Sequence, residues 1–156
     1  MNEGKPGIAV PRMDLAAPLW AQWHPMDRFD PVQARRVVQL MVLSAWADGH
    51  VEGSEALAIQ RQVAGNPLLD HVGVVSEIGR ETRKWMLADG MDACLAAAAA
   101  DLKDAEYREL AFKCCARVMG ADRVFPLEEE TVLGRVQQLL GLSDADAARL
   151  LVLATR

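Results

Sequence analysis

Four acidic residues stand at repeated places in the chain, and their types suit cation binding. Asp48 and Glu55 are seven residues apart, and Asp122 and Glu129 have the same separation. Carboxylate oxygens are the ligands that calcium, magnesium and manganese prefer in proteins. His50 lies between the first two acids and could add a nitrogen ligand, although a histidine in a turn is usually solvated. The chemistry that these residues indicate is weak binding of a divalent cation.

Two interpretations of these acids remain open. Asp48 and Asp122 each follow the predicted end of a helix, where a negative charge faces the negative pole of the helix dipole at a cost of about 0.3–1 kcal/mol. A bound cation would offset that cost in both places. In the other interpretation each Asp only orders its own turn, and Glu55 and Glu129 reach back from the third helical position to the helix start.

The acids belong to an internal repeat of 74 residues. Sliding the chain by that distance aligns residues 47–55 with residues 121–129. Each copy has a helix that ends near an AlaAsp pair, a short turn with one apolar residue, and a second helix with Glu in its first turn. The chain is therefore predicted to contain two related helical hairpins, with further helices between and after them.

The two turns differ in ways that bear on metal binding. Arg123 stands where the first copy has Gly49, so the second turn carries a positive charge beside Asp122. That arginine could neutralise the aspartate without a metal. In the first copy the earlier ligand places of a calcium-binding EF-hand loop hold Ser44 and Trp46, which argues against a tight calcium site within a single loop.

Helical periodicity begins at Asp30 and continues to the end of the chain. Asp30 can cap the first helix and Pro31 suits its first turn. After Val37 nearly every side chain of this helix is apolar, which predicts a central helix surrounded by the others. We predict an all-α fold, a single compact domain of about seven helices, at residues 30–49, 53–64, 74–88, 91–102, 105–121, 127–140 and 144–154.

Residues 1–29 are predicted to form a Pro-rich N-terminal arm, and residues 30–156 the helical domain. Prolines at positions 6, 11, 18 and 25 leave little room for a helix in the arm. Trp20 and Trp23 are large apolar side chains, so we expect the arm to lie across the domain and to dock through the two indoles.

Composition narrows the classes of function. The 156 residues are 51% hydrophobic and 25% charged, with a net charge of −5, which makes a nucleic-acid partner unexpected. Three cysteines without a CxxC pair favour a reducing compartment, and no apolar run reaches the roughly 18 residues of a membrane span. We therefore expect a cytoplasmic protein. No phosphate-binding loop, GxSxG or HExxH motif is present, so no enzymatic activity is predicted.

Two further groups of residues have a structural and a functional interpretation. Cys114 and Cys115 are interpreted as small core residues, and the alternative is a thiol that reacts with an oxyanion, which requires an exposed sulfur of lowered pKa. Arg80, Arg83 and Lys84 form a basic stripe near Trp85. A solvated helix face is the simpler interpretation of that stripe, and contact with acidic lipid or a partner is the other.

The repeated turns resemble those of the tellurite-resistance TerB-like family, whose signature is an AspGly turn, an apolar residue and a Glu seven positions after the Asp, occurring twice. Residues 43–51 with Glu55 match the first copy, and residues 107–122 with Glu129 match the second. The resemblance covers about residues 30–153. It implies an all-helical, cytoplasmic, non-enzymatic domain linked to tellurite and general stress resistance, with acidic positions that hold metal.

Together these observations predict a non-catalytic stress-response protein that binds calcium, magnesium or manganese weakly. Expected partners are other stress-resistance proteins, including ones at the membrane, and a homodimer is a further alternative. The competing hypothesis is a helical interaction module whose acidic turns are purely structural. In that case a protein or membrane-associated partner would be contacted through the arm or the basic stripe.

Overall fold

The computed structural model describes residues 29–47, 53–120 and 127–154, apart from the side chains of residue 54 and residues 127–131. Within these ranges the chain forms seven α-helices and no strand, so the predicted all-α fold is confirmed. The helices are α1 (Pro31–Ala45), α2 (Gly53–Ala64), α3 (Val75–Asp89), α4 (Met91–Ala100), α5 (Ala105–Met119), α6 (Leu127–Leu139) and α7 (Asp144–Ala154).

The first helix, α1, lies at the centre of the molecule. Every side chain from Val37 to Ala45 is buried. α1 packs against α2, α3, α4, α5 and α6. A helix without a polar face is stable only when other helices surround it, and this arrangement confirms the predicted central position of α1.

The helix bounds follow the 74-residue repeat. α5 begins 74 residues after α1, and α6 begins 74 residues after α2. The equivalent helices α1 and α5 are each 15 residues long, and they form the most extensive helix pair in the fold. The two predicted hairpins are therefore present as helix pairs, and their first helices pack against each other.

Local sequence signals account for several helix ends. The Asp30 carboxylate accepts hydrogen bonds from the backbone N–H groups of Val32 at 3.0 Å and Gln33 at 3.1 Å, as expected of an N-cap. The Ser143 hydroxyl accepts the N–H of Asp146 at 3.0 Å at the start of α7. Gly141 follows α6 with a φ of 70°, a conformation that glycine adopts without steric cost.

Three predicted helix ends extend too far along the chain. The first helix ends at Ala45 and not near Gly49, α4 ends at Ala100, and α5 ends at Met119. Apolar periodicity continues past each of these residues in the sequence. The last turn of a helix lacks backbone hydrogen-bond partners, and periodicity alone does not locate that point.

The predicted arm lies outside the described residues except at its last residue. Phe29 packs against the hydrophobic core, and its ring meets the ring of His71 edge-on with the centroids 5.8 Å apart. Docking through Trp20 and Trp23 stays a prediction. In the described ranges no helix combines the length and the apolar character needed to span a bilayer.

Candidate functional site

The amino end of α1 is tied to the start of α5 by a buried glutamine. Gln33 is only 4% exposed. Its side-chain oxygen accepts the backbone N–H groups of Lys103 at 2.9 Å and Asp104 at 3.0 Å. Its amide nitrogen donates to the carboxylates of Asp30 and Asp104, each at 3.0 Å. One side chain therefore uses its full hydrogen-bonding capacity to join two helix starts.

A buried tyrosine extends this network. The Tyr107 hydroxyl accepts the backbone N–H of Asp30 at 2.9 Å and donates to the carbonyl of Leu68 at 3.1 Å. Hydrogen bonds from the Gln33 side chain, and next from the Gln33 backbone, lower the pKa of Asp30, while burial opposes the shift. These polar groups satisfy one another, so this end of α1 has a structural role.

The first turn of α2 holds a buried carboxylate. Glu55 is the third residue of α2, as predicted, and its side chain is 0% exposed. Removing a carboxylate from water costs several kcal/mol unless opposite charge or hydrogen-bond donors compensate. The positive end of the α2 dipole supplies part of that compensation. The protein interior, and not solvent, must therefore stabilise this group.

The other predicted metal ligands cannot be placed relative to Glu55. Asp48, His50 and Asp122 lie outside the described residues. Glu129 is the third residue of α6, equivalent to Glu55 in α2, and its side chain is not described. The described part of the chain contains no group of three or more His, Cys, Asp or Glu residues that could hold a metal ion. Convergence of the four carboxylates stays a prediction.

The paired cysteines of α5 are core residues, as predicted. Cys114 is 1% exposed and Cys115 is 0% exposed. Burial raises the pKa of both thiols to about 12, and the nearby Ser44 hydroxyl opposes the shift at Cys115 only in part. A reactive thiol needs exposure and a lowered pKa, and these two cysteines have neither.

One arginine of α1 is fixed by several partners. The guanidinium of Arg36 lies over the ring of Trp85, 5.1 Å from its centroid. Its Nε donates to Asp101 at 2.8 Å, and its Nη1 donates to Gln39 at 2.8 Å. Trp85 also donates its indole N–H to Asp89 at 3.0 Å. These contacts fix the Arg36 guanidinium in a structural role.

A second arginine pairs with a different tryptophan from the one that its sequence position suggests. The guanidinium of Arg83 lies over Trp46, at the end of α1, 5.3 Å from the ring centroid. Interpreting Arg83 as part of a stripe beside Trp85 was therefore wrong, because Trp85 contacts Arg36 instead. Within the described ranges Arg83 and Arg80 form no ion pair with a carboxylate.

The carboxyl end of α1 also borders an open pocket. α1, α2 and α3 enclose a volume of about 300 Å³. Its wall is mostly apolar, and Arg80 and Arg83 are its charged residues. Sequence reasoning missed this pocket because it is formed by three helices whose contributions are far apart in the chain. The arginine spacing in α3 was the one available signal.

Comparisons with known proteins add no relative to these observations. No family model, no curated protein and no solved structure matches the chain. The resemblance to the TerB-like family stays a prediction that depends on the two turn motifs.

Proposed function

We propose that this protein is a non-catalytic stress-response domain of the tellurite-resistance TerB-like type, which binds a divalent cation weakly through its turn carboxylates. Asp48 and Glu55 are the first ligand pair in this proposal. Asp122 and Glu129 are the second pair, and His50 is an additional ligand. The observation that supports the proposal best is the complete burial of Glu55.

The position of Glu55 gives the proposal its physical basis. Its charge is removed from water in the first turn of α2, and Asp48 is seven residues earlier in the chain. Two carboxylates near one point repel each other unless a cation or proton intervenes. Calcium, magnesium and manganese all accept such oxygen ligands, and a small number of protein ligands favours weak binding.

A metal titration tests the proposal with a matched pair of variants. Glu55 and Glu77 are each the third residue of a helix and each follows a serine, but Glu55 is buried and Glu77 is exposed. The melting temperature of the wild type and of Glu55→Gln and Glu77→Gln is measured with and without calcium, magnesium or manganese. A metal at about 100 times its Kd adds about 2.7 kcal/mol of stability, which raises the melting temperature by several degrees.

We expect at least one metal to stabilise the wild type and Glu77→Gln, and to leave Glu55→Gln unchanged. If no metal raises the melting temperature, or if Glu55→Gln keeps the full rise, the cation site is wrong. The competing interaction-module hypothesis predicts that Glu55→Gln lowers stability by the same amount with and without metal, because the carboxylate would then have only a structural role.

The stress-response part of the proposal needs a cellular measurement. Expression in a tellurite-sensitive bacterial host should increase survival on tellurite for the wild type and for Glu77→Gln. Glu55→Gln should lose this protection while remaining folded. Equal survival with an empty vector would contradict the link to tellurite resistance without bearing on the cation site.

A further inference from the structure

We propose that the pocket between α1, α2 and α3 binds a small organic carboxylate with an apolar body, of the medium-chain fatty-acid type. This site is separate from the turn carboxylates. It combines an apolar wall, two arginines without carboxylate partners in the described ranges, and the amino end of a helix.

The wall of the pocket suits an apolar body. Val42 and Ile59 form buried parts of it, and Trp46 and Val75 are half-buried at its border. Its volume of about 300 Å³ is at the small end of the range of about 300–1,000 Å³ for ligand sites. A compact ligand whose apolar part leaves water there gains affinity in proportion to the area that it buries.

The two arginines supply the charge that a carboxylate needs. Arg80 and Arg83 both line the pocket and are both exposed. Stacking on Trp46 holds the face of the Arg83 guanidinium and leaves its N–H edge available. A guanidinium edge matches a carboxylate through two parallel hydrogen bonds, and these are among the stronger hydrogen bonds in proteins.

The start of α3 adds positive potential on the same side. Val75 and Ser76 line the pocket, and they are the first two residues of α3. The N-cap residue, Val74, provides no side-chain hydrogen bond to the free N–H groups of this turn. The positive end of the helix dipole therefore faces an anion in the pocket without a competing side-chain cap.

Acidic residues of α3 do not cancel this charge. Glu81 forms an ion pair with Arg35 of α1. Glu77 is exposed and is not among the residues that line the pocket. The pocket therefore presents two positive side chains and no carboxylate, which favours an anionic ligand over a neutral or cationic one.

Calorimetric titration with octanoate tests the site, with octan-1-ol as the uncharged probe of similar length. We expect one octanoate to bind per chain and octan-1-ol to bind at least about tenfold more weakly. Replacing both arginines (Arg80→Gln with Arg83→Gln) should weaken octanoate binding by about tenfold or more. Lys84→Gln removes one charge from the same helix outside the pocket and should leave binding unchanged.

A second pair of variants tests the location of the ligand. A Cβ atom at Gly79, which lines the pocket, would meet no atom within 4 Å, so larger side chains fit there without a clash. Gly79→Leu should fill the pocket and abolish octanoate binding. Gly79→Ala gives the helix a better helix former but leaves most of the space open, so it should retain binding.

Four results would overturn this inference: no octanoate binding, equal affinity for octan-1-ol, binding unaffected by the arginine replacements, or binding that survives Gly79→Leu. Glu55→Gln should not change octanoate affinity. The carboxylate site and the cation site can therefore fail independently of each other.

Discussion

The two ends of α1 use polar residues in opposite ways. At the amino end Gln33 and Tyr107 are buried and form hydrogen bonds that join α1 to the start of α5 and to Leu68. At the carboxyl end Trp46 and Arg83 border an open pocket. The buried face of the same helix thus connects a fully bonded region to one with free binding capacity.

This difference separates stability from function within one element. Buried polar groups whose partners are all internal fix the geometry of a fold, because an unpaired group would cost about 1–3 kcal/mol. An arginine held only by its face retains donors for a ligand. Substitutions at the amino end should therefore change stability most, and substitutions at the carboxyl end should change binding most.

The largest effect is expected for Gln33→Leu. This change removes four hydrogen bonds and leaves two N–H groups at the start of α5 without their acceptor. We expect the free energy of unfolding to fall by about 3 kcal/mol, measured by urea denaturation. Gln138→Leu, at an exposed position of α6, should change it by less than about 0.5 kcal/mol. Equal effects would remove the distinction between the two ends.

An intermediate effect is expected when the two arginine and tryptophan pairs are compared. Arg36→Gln loses the stacking on Trp85 and the hydrogen bond to Asp101, so the free energy of unfolding should fall by about 1–2 kcal/mol. Arg83→Gln loses an exposed stacking contact alone, worth about 0.5 kcal/mol. Thermal unfolding of both variants measures the difference, and the reverse order would show that Arg83 has a structural role.

The smallest effect is expected for Asp30→Asn, and it should depend on pH. Because hydrogen bonds lower the pKa of Asp30 in the folded state, the ionised carboxylate stabilises the fold above its ordinary pKa of about 3.9, and this contribution is lost as the pH falls through the lower folded-state pKa. Asparagine is an equally good cap without a charge. The variant should be less stable than the wild type by about 0.5 kcal/mol at pH 7, and this difference should disappear near pH 2. Urea denaturation at both pH values measures it, and a constant difference would contradict the assignment.

Sequence patterns predicted the helices because the signals that start and stop them are local. Asp30, Ser143 and Gly141 act on backbone groups within a few residues of themselves. The central position of α1 also followed from its composition, since an apolar helix needs partners on every side. The repeat gave the starts of α5 and α6 from those of α1 and α2.

The contacts that differentiate the two ends of α1 could not be predicted in the same way. Gln33 has a polar side chain at a position where periodicity gives no partner, and its acceptors and donors at Lys103 and Asp104 come 70 and 71 residues later. The pairing of Arg83 with Trp46 depends on how α3 crosses α1. For the acidic turns, only the third helical position of Glu55 and Glu129 could be compared with the structure, and it agrees.

The central position of α1 has a consequence for synthesis of the chain. Sixty residues separate the end of α1 from the start of α5, the helix that covers it most extensively. At about 5–20 residues per second, a ribosome needs several seconds to make that interval. During this time the most apolar helix of the protein has no mate, and holding chaperones should recognise the nascent chain until α5 emerges.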